Sequence, residues 1–470
     1  MNTFAQAIAT PQATTTTNGM VALDKTGNEL TDLFFNIGSA RNALDTVKVQ
    51  FARAFGVDQL ITAKMLFWVR DVRGGAGERQ TFRTLLNELE QLQQSVVVKN
   101  IALIPEFGRW DDLLVLKSTA CRQAAFAHIA LTLRNQTDGW QLCSKWMPRK
   151  GADAVALRNY MNLSPKAYRK MLVHGTQVVE TAMCSGEWNK INYEHVPSIA
   201  AKQYQQAFGR HDAMGYSQYK QKLVKGEAKI NASSIFPHDV IMGIRHGDQT
   251  VAQAQWDSLP NYLGDDAILP MVDVSGSMGC KAGGSNATCL DVAVALGLYI
   301  ANKQQGAFHK TFLTFSGEPT LQVLRSDTIV GQMKEMERAA WDMNTNIEKA
   351  FQVILRTAKN GRVPQDQMPK VLLIMSDMQF DRCTKEPNST ALGIFQDMYK
   401  EAGYEVPKVV FWNLNASYGN APVEFKEGGT ALISGFSPAI MKSILACQEI
   451  TPYDVMMTTL GSSRYERVVV

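Results

Sequence analysis

Asp273, Ser275 and Ser277 stand at alternate positions in MVDVSGSM (271–278), straight after the apolar run Ile268-Leu269-Pro270-Met271-Val272. A second apolar run, VLLIM, ends in Ser376-Asp377, and Thr345 lies just before an expected helix start in WDMNTNIEKAF. These five oxygen-bearing side chains come from three separate stretches and include no His or Cys. Such hard donors suit Mg²⁺ or Mn²⁺ rather than zinc or copper. The alternate spacing fits, because a loop that turns back on itself aims alternate side chains at one point. The plainer alternative is a turn whose Ser and Asp side chains cap the next helix.

A second chemistry lies in the distribution of charge. Gln141 to Lys229 holds 14 Lys/Arg against 6 Asp/Glu, a local excess of +8, whereas the whole chain carries only +4. Cations here alternate with aromatics: Lys145, Trp146, Arg149, Lys150, Arg158, Tyr160, Lys166, Tyr168, Arg169 and Lys170, then Lys190, Tyr193, Lys202 and Tyr204. Lys and Arg neutralise phosphates, and aromatic faces stack on unpaired bases. Lys145, Arg149, Lys150, Arg158, Lys166, Arg169, Lys170 and Lys190 are the candidate RNA contacts. The competing reading puts Trp146, Tyr168 and Tyr204 in the core and the lysines on a solvated face. No RRM, KH or double-stranded-RNA-binding signature is present.

Other candidates fail. RGGAGER (73–79) lacks the G-K-[ST] that cradles nucleotide phosphates and reads as a turn. The seven histidines show no HxxxH or HExxH spacing, so His195 and His238 read as packing or capping residues. Asp111-Asp112 reads as a helix N-cap. No nucleophile–base pair is evident, and the expectation is a protein that is not an enzyme. Seven scattered cysteines without a CxxC pair indicate neither zinc nor a disulfide framework, and a reducing, cytoplasmic setting is expected. The N-terminus has no basic n-region or apolar h-region, and its Thr/Ala/Gln bias predicts a disordered arm over 1–25. No apolar run reaches the ~18 residues that a membrane span needs.

Two kinds of element must position these residues. Over 26–258 the period is helical: Asp58 caps a helix carrying Leu60, Ile61, Met65 and Trp68, and the next presents Phe82, Leu85, Leu86, Leu89 and Leu92 on one face. Ser164-Pro165 starts another that runs towards Met183. Over 259–470 apolar runs alternate with helical stretches: Ile268–Val272, Thr311–Phe315, Val371–Met375, Val409–Trp412 and Ala431–Ser434. The expected fold is an α-helical repeat domain followed by an α/β domain with a doubly wound parallel sheet. Ligands of such sheets sit outside the carboxyl ends of the strands, where Asp273 and Asp377 fall.

Asp273-x-Ser275-x-Ser277, Thr345 and Asp377 together resemble the metal-ion-dependent adhesion site of von Willebrand factor A domains. The resemblance implies direct or water-mediated ligation by both serines and the threonine, with the aspartates acting mostly through water. It also implies an open sixth position for a partner's carboxylate. Met343-Asn344 and Met378 depart from that pattern, which usually has glycine there. The order of parts is similar to the Ro autoantigen class, a HEAT-like, ring-shaped TROVE domain followed by a von Willebrand A domain. It is closer to an uncharacterised family of plants and large viruses, through FWVRDVRGGAGER (67–79), IPEFGRWDDLL (104–114), SKWMPRK (144–150), EWNKINYEHVPSIAAKQY (187–204), FPHDVI (236–241) and VVFWNLN (409–415). The Ro resemblance implies binding of small or misfolded non-coding RNA, as a ribonucleoprotein, through the helical domain. The alternative function is a metal-dependent protein-interaction or structural module that binds no RNA; a third, a metal-dependent hydrolase, lacks a general base held close to the metal.

Overall fold

Asp58 accepts the Ile61 amide at 2.9 Å and opens helix Gln59–Arg70, on which Met65 and Trp68 are buried while Leu60 remains exposed. Phe82, Leu85, Leu86 and Leu89 form the buried stripe of helix Arg79–Leu92, and Leu92 falls outside it. Ser164 caps helix Pro165–Gly175, which ends there rather than near Met183; a separate helix, Val179–Ser185, follows. Helices adjacent in the chain pack on one another, as in Leu44–Val57, Gln59–Arg70 and Arg79–Leu92. Asp112 caps its own turn, accepting the Arg109 amide at 2.9 Å, and also takes Arg70 Nε at 2.8 Å and Arg83 Nε at 2.6 Å. One buried carboxylate thereby ties three segments together. The computed structural model describes residues 10–176, 178–232, 234–264, 266–282, 286–315, 319–337, 346–382, 389–446 and 450–470.

The second half is built on a sheet. Its strands are β3 (Ile268–Asp273), β4 (Thr311–Phe315), β5 (Thr320–Val323), β6 (Val371–Ser376), β7 (Lys408–Asn413) and β8 (Thr430–Ser434), in the order β5-β4-β3-β6-β7-β8. All neighbours are parallel except β4 and β5. The sheet is therefore mixed, not wholly parallel as expected. Ile268, Val272, Leu373, Met375, Val410 and Trp412 face helix Cys289–Lys303 and the helical half in one continuous core. Met271, Ile374, Phe411 and Leu432 face Phe351 and Phe395 of helices Ile347–Gly361 and Ala391–Ala402. Both faces are covered, which explains why the central strands read as unbroken apolar runs.

The chain ends cross between the halves. Of the expected disordered arm, residues 1–9 lie outside the described residues, but β1 (Ala13–Thr15) and β2 (Val21–Leu23) form an antiparallel hairpin. It is fastened to the loop after β6: Thr16 Oγ1 donates to Phe380 O at 2.6 Å and Asn18 Nδ2 to Gln379 O at 2.8 Å. Helix Glu29–Ile37 then packs against β8, where Gly38 N donates to Ser434 Oγ at 3.0 Å. A Cβ at Gly38 would collide with the Ser434 carbonyl, so the close approach needs glycine. At the other end, Arg464 and Tyr465 bind Asp71, and Asn100 Nδ2 donates to Val469 O at 2.6 Å.

Candidate metal centre and basic surface

The carboxyl ends of β3 and β6 lie side by side, since Val272 is paired with Met375. The next residues on the two strands, Asp273 and Ser376, meet there, and Ser376 Oγ donates to Asp273 Oδ2 at 2.5 Å. Asp273 Oδ1 accepts the Ser275 amide at 2.9 Å, which bends the chain back so that Ser275 Oγ and Ser277 Oγ lie 3.1 Å apart. Asp377 Oδ1 accepts the Gln379 amide at 3.2 Å. Its Oδ2 is buried and meets no full hydrogen-bond geometry among the described residues, although the nearby Ser277 hydroxyl pulls the Asp377 pKa down against burial. Burial raises both carboxyl pKa values, and the charge of Asp377 raises Asp273 further. Two buried, mutually repelling carboxylates stand beside two hydroxyls. The donor set and the orphaned Oδ2 therefore fit a hard divalent ion.

The structure brings together Asp273, Ser275, Ser277 and Asp377; Thr345 lies outside the described residues. Met378 takes the left-handed conformation, φ 63°, where the resemblance leads one to expect glycine. Ser376 was not among the expected site residues, although the motif Ser376-Asp377 was. Only the register of β3 against β6 shows that its hydroxyl meets Asp273. Among the described residues no three His, Cys, Asp or Glu side chains cluster as metal ligands. Any ion here would depend on hydroxyl donors.

The candidate RNA contacts divide into two groups. Lys145 pairs with Glu180 at 3.0 Å and Lys190 with Glu187, so their charges are compensated. These two lysines, with Leu142, Val178 and His195, line the larger groove of about 710 Å³, which is therefore poor in net positive charge. Arg149, Lys150, Arg158, Lys166, Arg169 and Lys170 make no ion pair among the described residues. Four of them, Arg149, Lys150, Arg158 and Arg169, line a cavity of about 230 Å³ between helices Ala152–Tyr160 and Pro165–Gly175.

The aromatics are mostly spent on packing. Tyr168 is buried and donates to Pro148 O at 3.0 Å, while Tyr193 and Tyr219 lie in a separate core with Phe208 and Tyr216. Trp146 is half-buried under the Arg109 guanidinium, 3.8 Å from its ring centre. Tyr160 remains exposed. Of the histidines, His238 is a packing residue: burial pushes its pKa down to about 4 against the opposing pull of Asp239.

Residues 126–267 match a domain of unknown function, DUF2828, and residues 267–464 match another, DUF7788. The two matches meet where the helical half gives way to β3. The chain is 28% identical to the uncharacterized protein L728 of Acanthamoeba polyphaga mimivirus, over 95% of this chain and 86% of that one. Among solved structures, the Ro (RSR) protein of Deinococcus radiodurans is similar at 13% identity and a TM-score of 0.38, over 91% of this chain and 93% of that one. No described helix is long and apolar enough to cross a membrane.

Proposed function

We propose that this chain is a binding protein rather than an enzyme, and that it holds single-stranded RNA by its phosphates on the surface formed by residues 149–170. One observation carries the reading: six cations without an ion pair among the described residues lie on two adjoining helices and the turn before them, four of them around one cavity. Such cations on a segment with a local excess of +8 favour a polyanion. The sequence resemblance to the Ro class directs the choice to RNA, small or misfolded. Because most aromatics are buried, recognition rests on phosphates more than on stacked bases, and sequence preference is weak. The test is fluorescence anisotropy of a labelled single-stranded RNA across a salt series. Arg149→Ala, Arg158→Ala and Arg169→Ala are each expected to weaken binding and to flatten the salt slope by about 0.7 per lost phosphate contact. Lys145→Ala and Lys190→Ala, which remove already compensated charges, are expected to do less. Equal losses in both groups would overturn the assignment of the surface.

The orphaned Asp377 Oδ2 favours a second component, a Mg²⁺ or Mn²⁺ centre of von Willebrand A type. Asp273, Ser275, Ser277, Thr345 and Asp377 would hold the ion, and a carboxylate of a protein partner would suit its open position. Without an ion the Asp377 charge is buried and repelled by Asp273. Asp377→Asn is therefore expected to stabilise the chelated protein by about 1–2 kcal/mol and to abolish its thermal response to Mg²⁺. A variant that gains as much from Mg²⁺ as the wild type would remove the site from consideration.

A further inference from the structure

Two thiols face each other at the base of the loop that leaves the candidate metal centre. Cys280 follows the turn Gly276–Gly279, and Cys289 begins helix Cys289–Lys303. The chain between them doubles back: Lys281 pairs with Thr288 in an antiparallel bridge, Cys289 N donates to Cys280 O at 3.0 Å and Ala282 N to Ala287 O at 2.9 Å. This register sets Cys280 directly opposite Cys289, and their sulfurs lie 3.4 Å apart. At that separation the two sulfurs are already in van der Waals contact, the starting point for a disulfide. Closing the gap to bonding distance takes about 1.4 Å of sulfur movement, within reach of a χ1 adjustment at two adjacent side chains.

Their surroundings differ in a way that sets the order of events. Cys289 is buried, with its Sγ 3.4 Å from Leu414 O, whereas Cys280 is half-exposed and receives a contact from Asn415 Nδ2 at 3.5 Å. An oxidant from solvent reaches Cys280 first, and the resolving thiol is already beside it.

We propose that Cys280 and Cys289 are a peroxide-sensitive thiol pair that closes to a disulfide, a modification site independent of whether the neighbouring centre holds metal. In the first step the Cys280 thiolate attacks one oxygen of hydrogen peroxide. The O–O bond breaks, giving Cys280 sulfenic acid and hydroxide. The sulfur of Cys289 then attacks the sulfenic sulfur, the S–O bond breaks, and the Cys289 proton leaves with the hydroxyl as water. Two thiols are oxidised by two electrons in total, and the peroxide is reduced to water. The new bond would pin the turn carrying Ser277 to the first residue of the helix, since Cys280 N already donates to Ser277 O at 3.3 Å.

The test uses the full chain. The protein is titrated with hydrogen peroxide, remaining thiols are alkylated without reduction, and peptides are read by mass spectrometry; exposed Cys184 reports general oxidation. The expected result is loss of both alkylated thiols together, one for one, with appearance of a linked Cys280–Cys289 peptide lighter by two hydrogens and cleaved by dithiothreitol. In Cys289→Ser the expected product is sulfenic acid at Cys280, trapped by dimedone. Cys280 and Cys289 that stay separately alkylated after Cys184 has reacted would overturn the proposal. So would oxidation of Cys280 in the wild type to a sulfinic acid without any linked peptide.

Discussion

Met378 is the residue at which local preference and position disagree most. It follows the candidate metal-binding Asp377 with φ 63°, and its side chain is buried in the core of Phe351 and Phe395. The left-handed conformation costs a non-glycine residue about 1–2 kcal/mol. Truncating a buried methionine costs about 2–5 kcal/mol, and glycine adds its own entropy cost in the unfolded chain. Packing therefore wins, and Met378→Gly is expected to lower stability by about 1–3 kcal/mol, read as a lower urea midpoint at constant m. A raised midpoint would show that strain, not packing, dominates there. The same neighbourhood shows what a sequence can and cannot tell. Asp273, Ser275, Ser277 and Asp377 were legible because each terminates or follows an apolar run. Ser376 was not, because its role depends on which strand lies beside β6.

At the scale of elements, the errors fall where tertiary partners decide. The Thr-rich stretch around β1 and β2 has the composition of a disordered arm, yet it folds because Thr16 and Asn18 find backbone acceptors in the loop after β6. β5, sequence TLQV, is a short edge strand with half-exposed side chains, too brief for its alternation to stand out. Helix Pro237–His246 supplies a pH-dependent contact. His238 lies between Phe236 and Phe436, with ring centres at 5.7 and 6.1 Å, and the Asp239 carboxylate is 4.0 Å away. Arg41, Lys202 and Asp291 also act on it. Its folded pKa of about 4 lies below the ordinary 6.5, so between these values the unfolded chain binds the extra proton. Stability from this group is full above pH 6.5 and is lost as pH falls towards 4, by at most about 1.4 kcal/mol per pH unit. Asp32, raised to about 6 by burial, acts with the opposite sign in an overlapping window. The comparison is therefore wild type against His238→Phe, by urea denaturation from pH 7 to 4.5. The wild type is expected to lose stability relative to the variant on acidification; parallel curves would contradict the buried neutral imidazole.

At the scale of the whole molecule, the ends of the chain make one unit of two halves that the sequence reads as successive domains. Helix Glu29–Ile37 belongs to the face of β8, and the C-terminal residues belong to the helical half through Asp71 and Asn100. Leu33, Trp68, Val272 and Trp412 share a single core. Such crossings leave no mark in composition or periodicity, because each involves a few residues far apart in sequence. They bear on how the two proposed sites communicate. The cations without an ion pair among the described residues stand on helices Ala152–Tyr160 and Pro165–Gly175 and the turn before them, whereas the proposed ion site lies at the ends of β3 and β6. Removing an ion from that site would restore repulsion between Asp273 and Asp377, a local cost that reaches the helical half only if the shared core itself unfolds. Nor would a strand of RNA be drawn to that site without an ion, since buried carboxylates repel phosphate. Chelation with EDTA is thus expected to leave RNA affinity within about threefold, roughly 0.7 kcal/mol, while circular dichroism of the same sample stays unchanged. The same treatment is expected to release any protein held through the metal. A tenfold or larger loss of RNA binding, with the fold intact, would place the nucleic acid at the metal edge and end the division of labour between the two halves.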